Sequence, residues 1–270
     1  MLVSVIITTK NEEKNIQNCL NSVMQQTFPQ GEIEMIVVDN SSTDGTKEIA
    51  RKYTEKVFDW GPERSAQRNF GVGKSSGKYI LYLDADMTLS SDVIRECVEK
   101  MENNDKIVAM YIPEVIRGNS LLSRVRKFER NFYNGTAIDA TRFMRREAFM
   151  QAGGFDEKLY ACEDWDLDKR IKKLGNFETS KECLYHHEED LNLKKYMEKK
   201  KYYSKNVDVY IGKWGINDPD VKKQFGITYR FAGVFLEKGK WKTLLRHPFL
   251  SAGMYFLKFL VGLKFLMRNI

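Results

Sequence analysis

Tyr79-Ile80-Leu81-Tyr82-Leu83-Asp84-Ala85-Asp86 is an apolar run that ends in two carboxylates one residue apart. Its length and continuous hydrophobicity predict a buried strand over Lys78–Leu83, delivering Asp84 at its C-terminal end. Upstream, Val3-Ser4-Val5-Ile6-Ile7-Thr8-Thr9 and Ile33-Glu34-Met35-Ile36-Val37-Val38-Asp39 read the same way, with a shorter strand at Val57-Phe58. Between them, Ile16, Leu20 and Val23 fall at helical spacing after Asn11, which is placed to cap that helix; Thr46–Tyr53 and Ser65–Lys74 also read as helices. Strands alternating with helices imply parallel strands joined by crossover helices, and thus an α/β fold. Further along, Ile107–Pro113 reads as a strand, Leu121–Phe132 as a basic amphipathic helix and Glu163–Leu174 as a helix. Leu191–Val209 is Lys-rich and helical, Ile216–Phe225 a loop or short helix, and Thr228–Ile270 helical with breaks near Gly239 and Pro248.

In open α/β sheets ligands bind outside the carboxyl ends of strands. Two carboxylates there repel unless a positive group sits beside them. A hard divalent ion shared with phosphate oxygens meets that need, although solvated acidic loops carry the same DxD pattern. Val37-Val38-Asp39-Asn40-Ser41-Ser42-Thr43-Asp44-Gly45-Thr46 is a second strand end followed by small polar residues. Such a loop can hydrogen-bond a base or ribose, or be an Asx-type turn in which Ser42 or Asp44 caps the next helix. In Cys162-Glu163-Asp164-Trp165-Asp166-Leu167, the acids stand where a helix begins. They are either helix-capping groups or a general base beside an acceptor hydroxyl, with Asp166 and Asp168 solvated or structural and Trp165 either core or a sugar-stacking ring. Tyr185-His186-His187 follows a strand-like stretch, where alternation lets one imidazole face a site as a metal ligand, or both lie at the surface.

These stretches occur in one order. VSVIITTKNEEKNIQNCLNSVMQQTF, EMIVVDNSSTDGT, SAQRNFGVGKSSGKYILYLDADM and RREAFMQAGGFDEKLYACEDWDLDKRIKKLG together resemble family 2 glycosyltransferases of the GT-A fold, over roughly Leu2 to Asn206. Two departures stand out: Asn40 where many relatives carry a second aspartate, and Ser41 in place of a common glycine. The resemblance implies a Rossmann-like, mostly parallel sheet flanked by helices (residues 1–190) with a helical C-terminal extension (191–270). It implies an inverting transfer of a sugar from a nucleoside-diphosphate sugar, UDP-sugars favoured, with Mn²⁺ or Mg²⁺. Donor contacts are expected from Thr8, Thr9, Glu12, Asp39, Ser41, Arg68, Asp84 and Asp86. Metal contacts fall to Asp86 and Asp84 with His186, or alternatively His187. Asp164 matches the catalytic base, and Glu163 and Trp165 the acceptor side. The alternative within the resemblance is a relative that binds nucleotide sugar without transferring it.

The charge balance of +7 over 270 residues calls for an anionic partner. No interleaving of basic and aromatic residues suggests nucleic acid, and no GxGxxG follows the first strand as in a dinucleotide-binding dehydrogenase. The four cysteines are scattered and read as reduced thiols, and the first residues carry no basic n-region or cleavage site of a signal peptide. Phe249 to Met267 is apolar apart from Lys258 and Lys264, with Lys238, Lys240, Lys242 and Arg246 upstream and Lys194, Lys195, Lys199, Lys200 and Lys201 as a second basic run. Two lysines inside it argue against a spanning helix and for an interfacial one with snorkelling lysines; a helix packed on its own catalytic domain or in a homo-oligomer is the alternative. The expectation is a cytoplasmic enzyme, peripheral on the cytosolic membrane face, acting on a lipid-linked saccharide or another cell-surface glycan precursor.

Overall fold

The computed structural model describes residues 1–189, 191–204 and 206–266. In chain order it contains β1 (Val3–Thr9), α1 (Ile16–Met24), β2 (Ile33–Asp39), α2 (Thr46–Ala50), β3 (Val57–Asp59), α3 (Arg64–Gly73), β4 (Tyr79–Asp84), β5 (Met87–Leu89), α4 (Val93–Glu102), β6 (Ile107–Tyr111), β7 (Glu114–Arg117) and α5 (Leu121–Arg130). Then follow β8 (Thr141–Arg145), α6 (Arg146–Gln151), α7 (Glu163–Ile171), β9 (Asn176–Thr179), β10 (Leu184–His187), α8 (Leu193–Ser204), α9 (Val207–Trp214), α10 (Pro219–Phe225), α11 (Val234–Leu236), α12 (Trp241–Arg246) and α13 (Pro248–Leu266). The chain forms two compact units. The first comprises 1–113 and 140–186, the second 114–139 and the chain from 187 onward.

The first unit is built on a sheet of order β3-β2-β1-β4-β8-β6-β9. β1 lies between β2 and β4, parallel to both, and all seven of its residues are buried. With both faces covered, its sequence is a near-continuous apolar run rather than an alternating one. β8 is antiparallel to β4 and β6, and β9 is parallel to β6, so β8 alone runs against the others. Alternate residues feed two cores. Val3, Val5, Ile7, Leu81 and Leu83 meet α1 and α4 on one face, through Cys19, Leu20, Ile94 and Cys97. Ile6, Ile36, Val38, Ile80 and Tyr82 meet Val72, Phe149, Leu167 and Ile171 of α3, α6 and α7 on the other. Each fully buried Val, Leu or Ile contributes about 1.5–3 kcal/mol, which makes this sheet a firm platform for whatever its strand ends carry. At Gly71, α3 approaches β1 so closely that a Cβ would collide with Ile6.

β1, α1, β2, α3 and β4 lie where the sequence predicts them. Asn11 does not cap α1, however. The helix starts at Ile16 with Asn15 as its N-cap, while Asn11 adopts a left-handed backbone (φ 53°) and uses its side chain elsewhere. The single helix expected over 191–209 is two, α8 and α9, with Lys205 outside the described residues. Among the described residues no cysteine forms a disulfide.

The second unit encloses a network of buried ion pairs. In α5, Arg126 pairs with Glu188 at 2.9 Å and Arg130 with Asp139 at 2.9 Å and Glu114 at 3.4 Å. Lys258 of α13 reaches Glu129 at 3.4 Å and donates to Tyr133 Oη at 2.7 Å and to the Arg230 carbonyl at 2.9 Å. Its side chain is 5% exposed. Snorkelling therefore does not describe Lys258: it faces inward, because Glu129 lies buried there and needs a cation. The chain breaks at Lys238 and Gly239, both at positive φ, and α13 begins at Pro248, whose fixed φ suits a first helical turn. Met267 and the three residues after it lie outside the described residues.

Candidate active site

The C-terminal ends of β1, β2 and β4 form one edge. Register places Thr9 beside Asp39 and Thr8 beside Asp84. Thr8 Oγ1 donates to Asp84 Oδ1 at 3.1 Å. Gln67 Nε2 donates to the carbonyls of Thr9 (3.1 Å) and Val38 (2.7 Å), tying the two strand ends together. Among the described residues Thr9 Oγ1, which is buried, finds no hydrogen-bond partner, a polar atom left over on an edge that is suited to a polar ligand.

The β2–α2 loop is locked to the β1–α1 loop. Asp39 is fully buried, and its carboxylate accepts from Ser42 N at 2.6 Å and Ser42 Oγ at 2.5 Å. Ser42 Oγ in turn accepts from Asn11 N at 2.7 Å, Asn11 Oδ1 from Thr43 N at 2.9 Å, and Thr46 Oγ1 from Glu12 N at 2.8 Å. Glu12 turns its carboxylate to Asn15 Nδ2 at 2.7 Å. Asp39 and Ser42 form an Asx-type turn, while of the two capping candidates read from the sequence it is Asp44, not Ser42, that accepts from the first N–H of α2, at Thr46 (3.1 Å). The Asp39 carboxylate, with about four lone-pair sites, keeps capacity for more. Ser41 sits at φ 53° with an exposed side chain. That is the left-handed region glycine favours, which gives the physical reason for a glycine at this place in relatives.

Arg68 is the centre of the charge cluster. It is 1% exposed, lies 4.5 Å from the Tyr82 ring centroid and 5.1 Å from that of Phe155, and contacts three acids. Its guanidinium reaches Asp84 Oδ1 at 3.0 Å, Asp164 Oδ1 at 2.9 Å and Glu163 Oε1 at 3.5 Å. Arg64 and Arg142 add weaker pairs to Asp84 at 3.9 and 3.8 Å, and Arg64 one to Glu163 at 3.4 Å. Burial alone raises a carboxyl pKa, but Arg68, Arg64 and Arg142 hold that of Asp84 far below the carboxylate range. Glu163 goes the other way: burial and then the neighbouring Asp164 push it up to about 7.

Glu163 and Asp164 open α7. The residue before them, Cys162, takes a left-handed backbone (φ 64°) without a capping side chain. A non-glycine residue there costs energy, and the turn aims both acids at Arg68. Tyr82 Oη donates to the Thr141 carbonyl and lies 3.2 Å from Asp164 Oδ1. Behind this, buried Asp168 accepts from Thr141 N (3.2 Å) and Oγ1 (2.5 Å); burial pushes its pKa up to about 7. Asp166 binds Arg170 at 2.7 Å, so both acids are structural, as the sequence suggested. Trp165 is half-buried on the same helix.

Pairing of β10 with β5 sets His186 opposite Met87 and brings its Nε2 to 3.1 Å from Asp86 Oδ2. His187 instead turns its Nδ1 to Glu189 at 3.1 Å. A carboxylate and an imidazole suit Mn²⁺ and fit as two protein ligands of an ion completed by phosphate oxygens and water. Asp84 fits less well as a direct ligand, because three guanidiniums already neutralise it. Among the described residues no three His, Cys, Asp or Glu side chains converge as a protein-only metal cage.

Gln67, Tyr82, Arg64, Arg142 and Thr141 complete the arrangement and are not among the site residues the sequence points to. Gln67 lies beside Arg68 in the QRNFG stretch, its one signal. A parallel-sheet platform with acids at adjacent strand ends and a second acidic pair opening a helix is the GT-A arrangement. The profile of Glycosyl transferase family 2 matches residues 4–155, and the chain belongs to that family. It is 46% identical over 91 residues to glycosyltransferase AglE of Haloferax volcanii, covering 31% of this chain and 30% of the relative, so the chain matches under a third of that protein's length. Two solved structures share the fold. The mannosyltransferase PcManGT from Pyrobaculum calidifontis, in complex with GDP-Man and Mn²⁺, aligns with a TM-score of 0.63 at 18% identity over 98% of this chain and 85% of that one. S. aureus TarS 1-349 in complex with UDP-GlcNAc aligns with a TM-score of 0.59 at 20% identity over 88% and 76%.

Proposed function

We propose that this protein transfers a sugar from a nucleoside-diphosphate sugar to an acceptor hydroxyl in one displacement, inverting the anomeric centre. One observation carries the reading. A single buried guanidinium, that of Arg68, holds Asp84 on the strand edge and Asp164 on α7 at 3.0 and 2.9 Å, so a donor-side acid and an acceptor-side acid share one fixed point. Asp39, Ser41, Thr8, Thr9 and Glu12 bind the nucleoside, and Arg68 and Asp84 orient its diphosphate and ribose. Asp164 takes the acceptor proton as the acceptor oxygen bonds to the anomeric carbon. The bond from that carbon to the diphosphate breaks, and the nucleoside diphosphate leaves with the electron pair. A divalent ion held by Asp86 and His186 supplies charge neutralisation to the leaving diphosphate when bound. Glu163 and Trp165 hold the acceptor. Positioning supplies much of the acceleration.

UDP-sugars are the favoured donors, supported by the UDP-GlcNAc complex of TarS; GDP-Man in PcManGT makes GDP-sugars the first competitor. The basic, apolar C-terminal part motivates an acceptor carried at the cytosolic face of a membrane, as a lipid-linked saccharide or another cell-surface glycan precursor.

The test is nucleotide release and transfer across UDP-, GDP- and dTDP-sugars with Mn²⁺, Mg²⁺ or EDTA. One donor is expected to turn over, with metal only. Asp86→Ala is expected to lose donor binding, and Asp164→Asn to bind without transfer. Donor binding with no turnover by the unmodified chain, with membrane extract as acceptor, would make it a non-catalytic relative.

A further inference from the structure

α13 is apolar on both faces. Its inward face packs in the second unit: Ser251, Met254, Leu257 and Lys258 are buried, Gly253 lies so close to Val125 of α5 that a Cβ would stand 2.9 Å from Val125 Cγ2, and Tyr255 Oη donates to the Phe231 carbonyl at 2.9 Å. The outward face carries Phe249, Ala252, Phe256, Phe259 and Leu263, all exposed, at alternating spacings of three and four. Phe249 is 92% exposed and Phe256 and Phe259 are above half. A surface helix of a globular protein normally turns charged residues outward. Here the one charge within the stretch, Lys258, turns inward onto Glu129, and the solvent face meets its first charge at Lys264. Exposed Leu245 and Trp241 on α12 precede the stripe.

We infer that this stripe is a docking surface for an anionic lipid bilayer. The charges around it choose that occupant over a second copy of the chain. From Lys238 to the end, the sequence has seven Lys or Arg and no Asp or Glu. Lys238, Lys242, Arg246 and Lys264 are exposed around the stripe. Two copies packed through it would set uncompensated cations against cations. Anionic head groups neutralise them, while the Phe side chains enter the acyl boundary beneath. Among the described residues no helix is long and apolar enough to cross a membrane, so the stripe, about 21 Å from Phe249 to Leu263 at 1.5 Å per residue, lies in the plane of the surface. This deepens the membrane-face reading proposed above by naming the element and the lipid chemistry, and its test needs no turnover.

The full chain is floated with vesicles of phosphatidylcholine alone and of phosphatidylcholine with phosphatidylglycerol. It is expected to float with the second and far less with the first. Phe249→Ser/Phe256→Ser/Phe259→Ser is expected to lower partitioning about a hundredfold or more. Lys242→Glu/Arg246→Glu is expected to lower it by at least about fivefold per charge, with a matching loss in high salt. Melting curves and donor binding check that each variant is folded. Phe249→Ser alone, at a side chain with almost no packing, serves if the triple variant does not fold. Equal flotation of these variants, or none by the unmodified chain, overturns the inference. So does a concentration-dependent dimer in light scattering that the Phe variants dissolve. A chain that turns over donor but never floats overturns this inference alone, and one that floats but binds no donor overturns only the transfer reading.

Discussion

Each unit buries a cluster of charges around arginines, and the two clusters differ in how they are finished. In the second unit, Glu129, Glu188, Asp139 and Lys258 have side chains no more than 6% exposed, and guanidiniums, an ammonium and a tyrosine close around the acids. In the first, Asp84, Asp86 and Asp164 keep 19–24% of their side chains exposed although Arg68 between two of them is 1% exposed. Buried ion pairs rarely add net stability, since desolvation offsets the attraction. The closed cluster therefore fixes how its helices pack. The open one leaves oxygen atoms that can still meet a ligand, and that difference separates scaffold from site.

The comparison breaks most sharply at Asp164. Asp164→Asn removes the proposed base with little change in shape, and sugar transfer should fall about a thousandfold while donor binding and melting temperature hold. An unchanged rate would place Asp164 with the scaffold acids. Next come the two cations. Arg68→Met leaves Asp84 and Asp164 without their shared partner and should cost about 3 kcal/mol of stability in urea titrations, together with donor binding. Lys258→Met should cost a similar amount, about 3 kcal/mol, with donor binding intact in the protein that remains folded. Equal effects of both on donor binding would erase the distinction between the clusters.

A pH series sharpens it further. Glu163 and Asp168 have folded pKa values of about 7, against usual values of 4.5 and 3.8. The folded state therefore holds their protons more tightly than the unfolded state. The stabilisation is complete below the usual values and is lost as pH rises toward 7. Asp168→Asn should flatten the fall in stability between pH 4 and 7. Glu96 works with the opposite sign: burial opposes it, but hydrogen bonds from the backbone of Lys181 and from Ser180 hold it down to about 2, so its contribution is lost as pH falls from 4.5 toward 2. The smallest effect belongs to Tyr82→Phe, which deletes the hydroxyl that donates to the Thr141 carbonyl and adjoins Asp164. About 1 kcal/mol of stability should go, with a few-fold drop in kcat and little change in KM.

Much of the platform was legible because β1, β2 and β4 are buried on both faces, which leaves continuous apolar runs ending in polar residues at the site. β5, β7 and β9 are three or four residues long and mix polar with apolar side chains, so nothing in their pattern distinguishes them from loops. β8 hides differently: Thr141-Arg142-Phe143-Met144-Arg145 sits inside the sheet, yet carries two arginines, which are placed by Asp84 on one side and by the Ile107 and Met101 carbonyls on the other. α4 carries a signal of its own, with Val93, Ile94, Cys97, Val98 and Met101 at helical spacing. The acids at strand ends were visible as candidates. Arg68 was among the candidates too, but Arg64 and Arg142 were not, because they stand far from the acids in sequence and meet them only through the fold. His186 and His187 could not be ranked from sequence; pairing with β5 turns the first toward Asp86.

The place of β8 also bears on how the chain is made. β8 lies between β4 and β6 but is synthesised after both, with β7 and α5 in between. On the ribosome, two strands of the future centre wait with bare edges until residue 145 has emerged, and bare edges recruit wrong partners. The period of greatest exposure to misassembly is thus written into the strand order, and a pause in translation before β8 has left the ribosome would lengthen it.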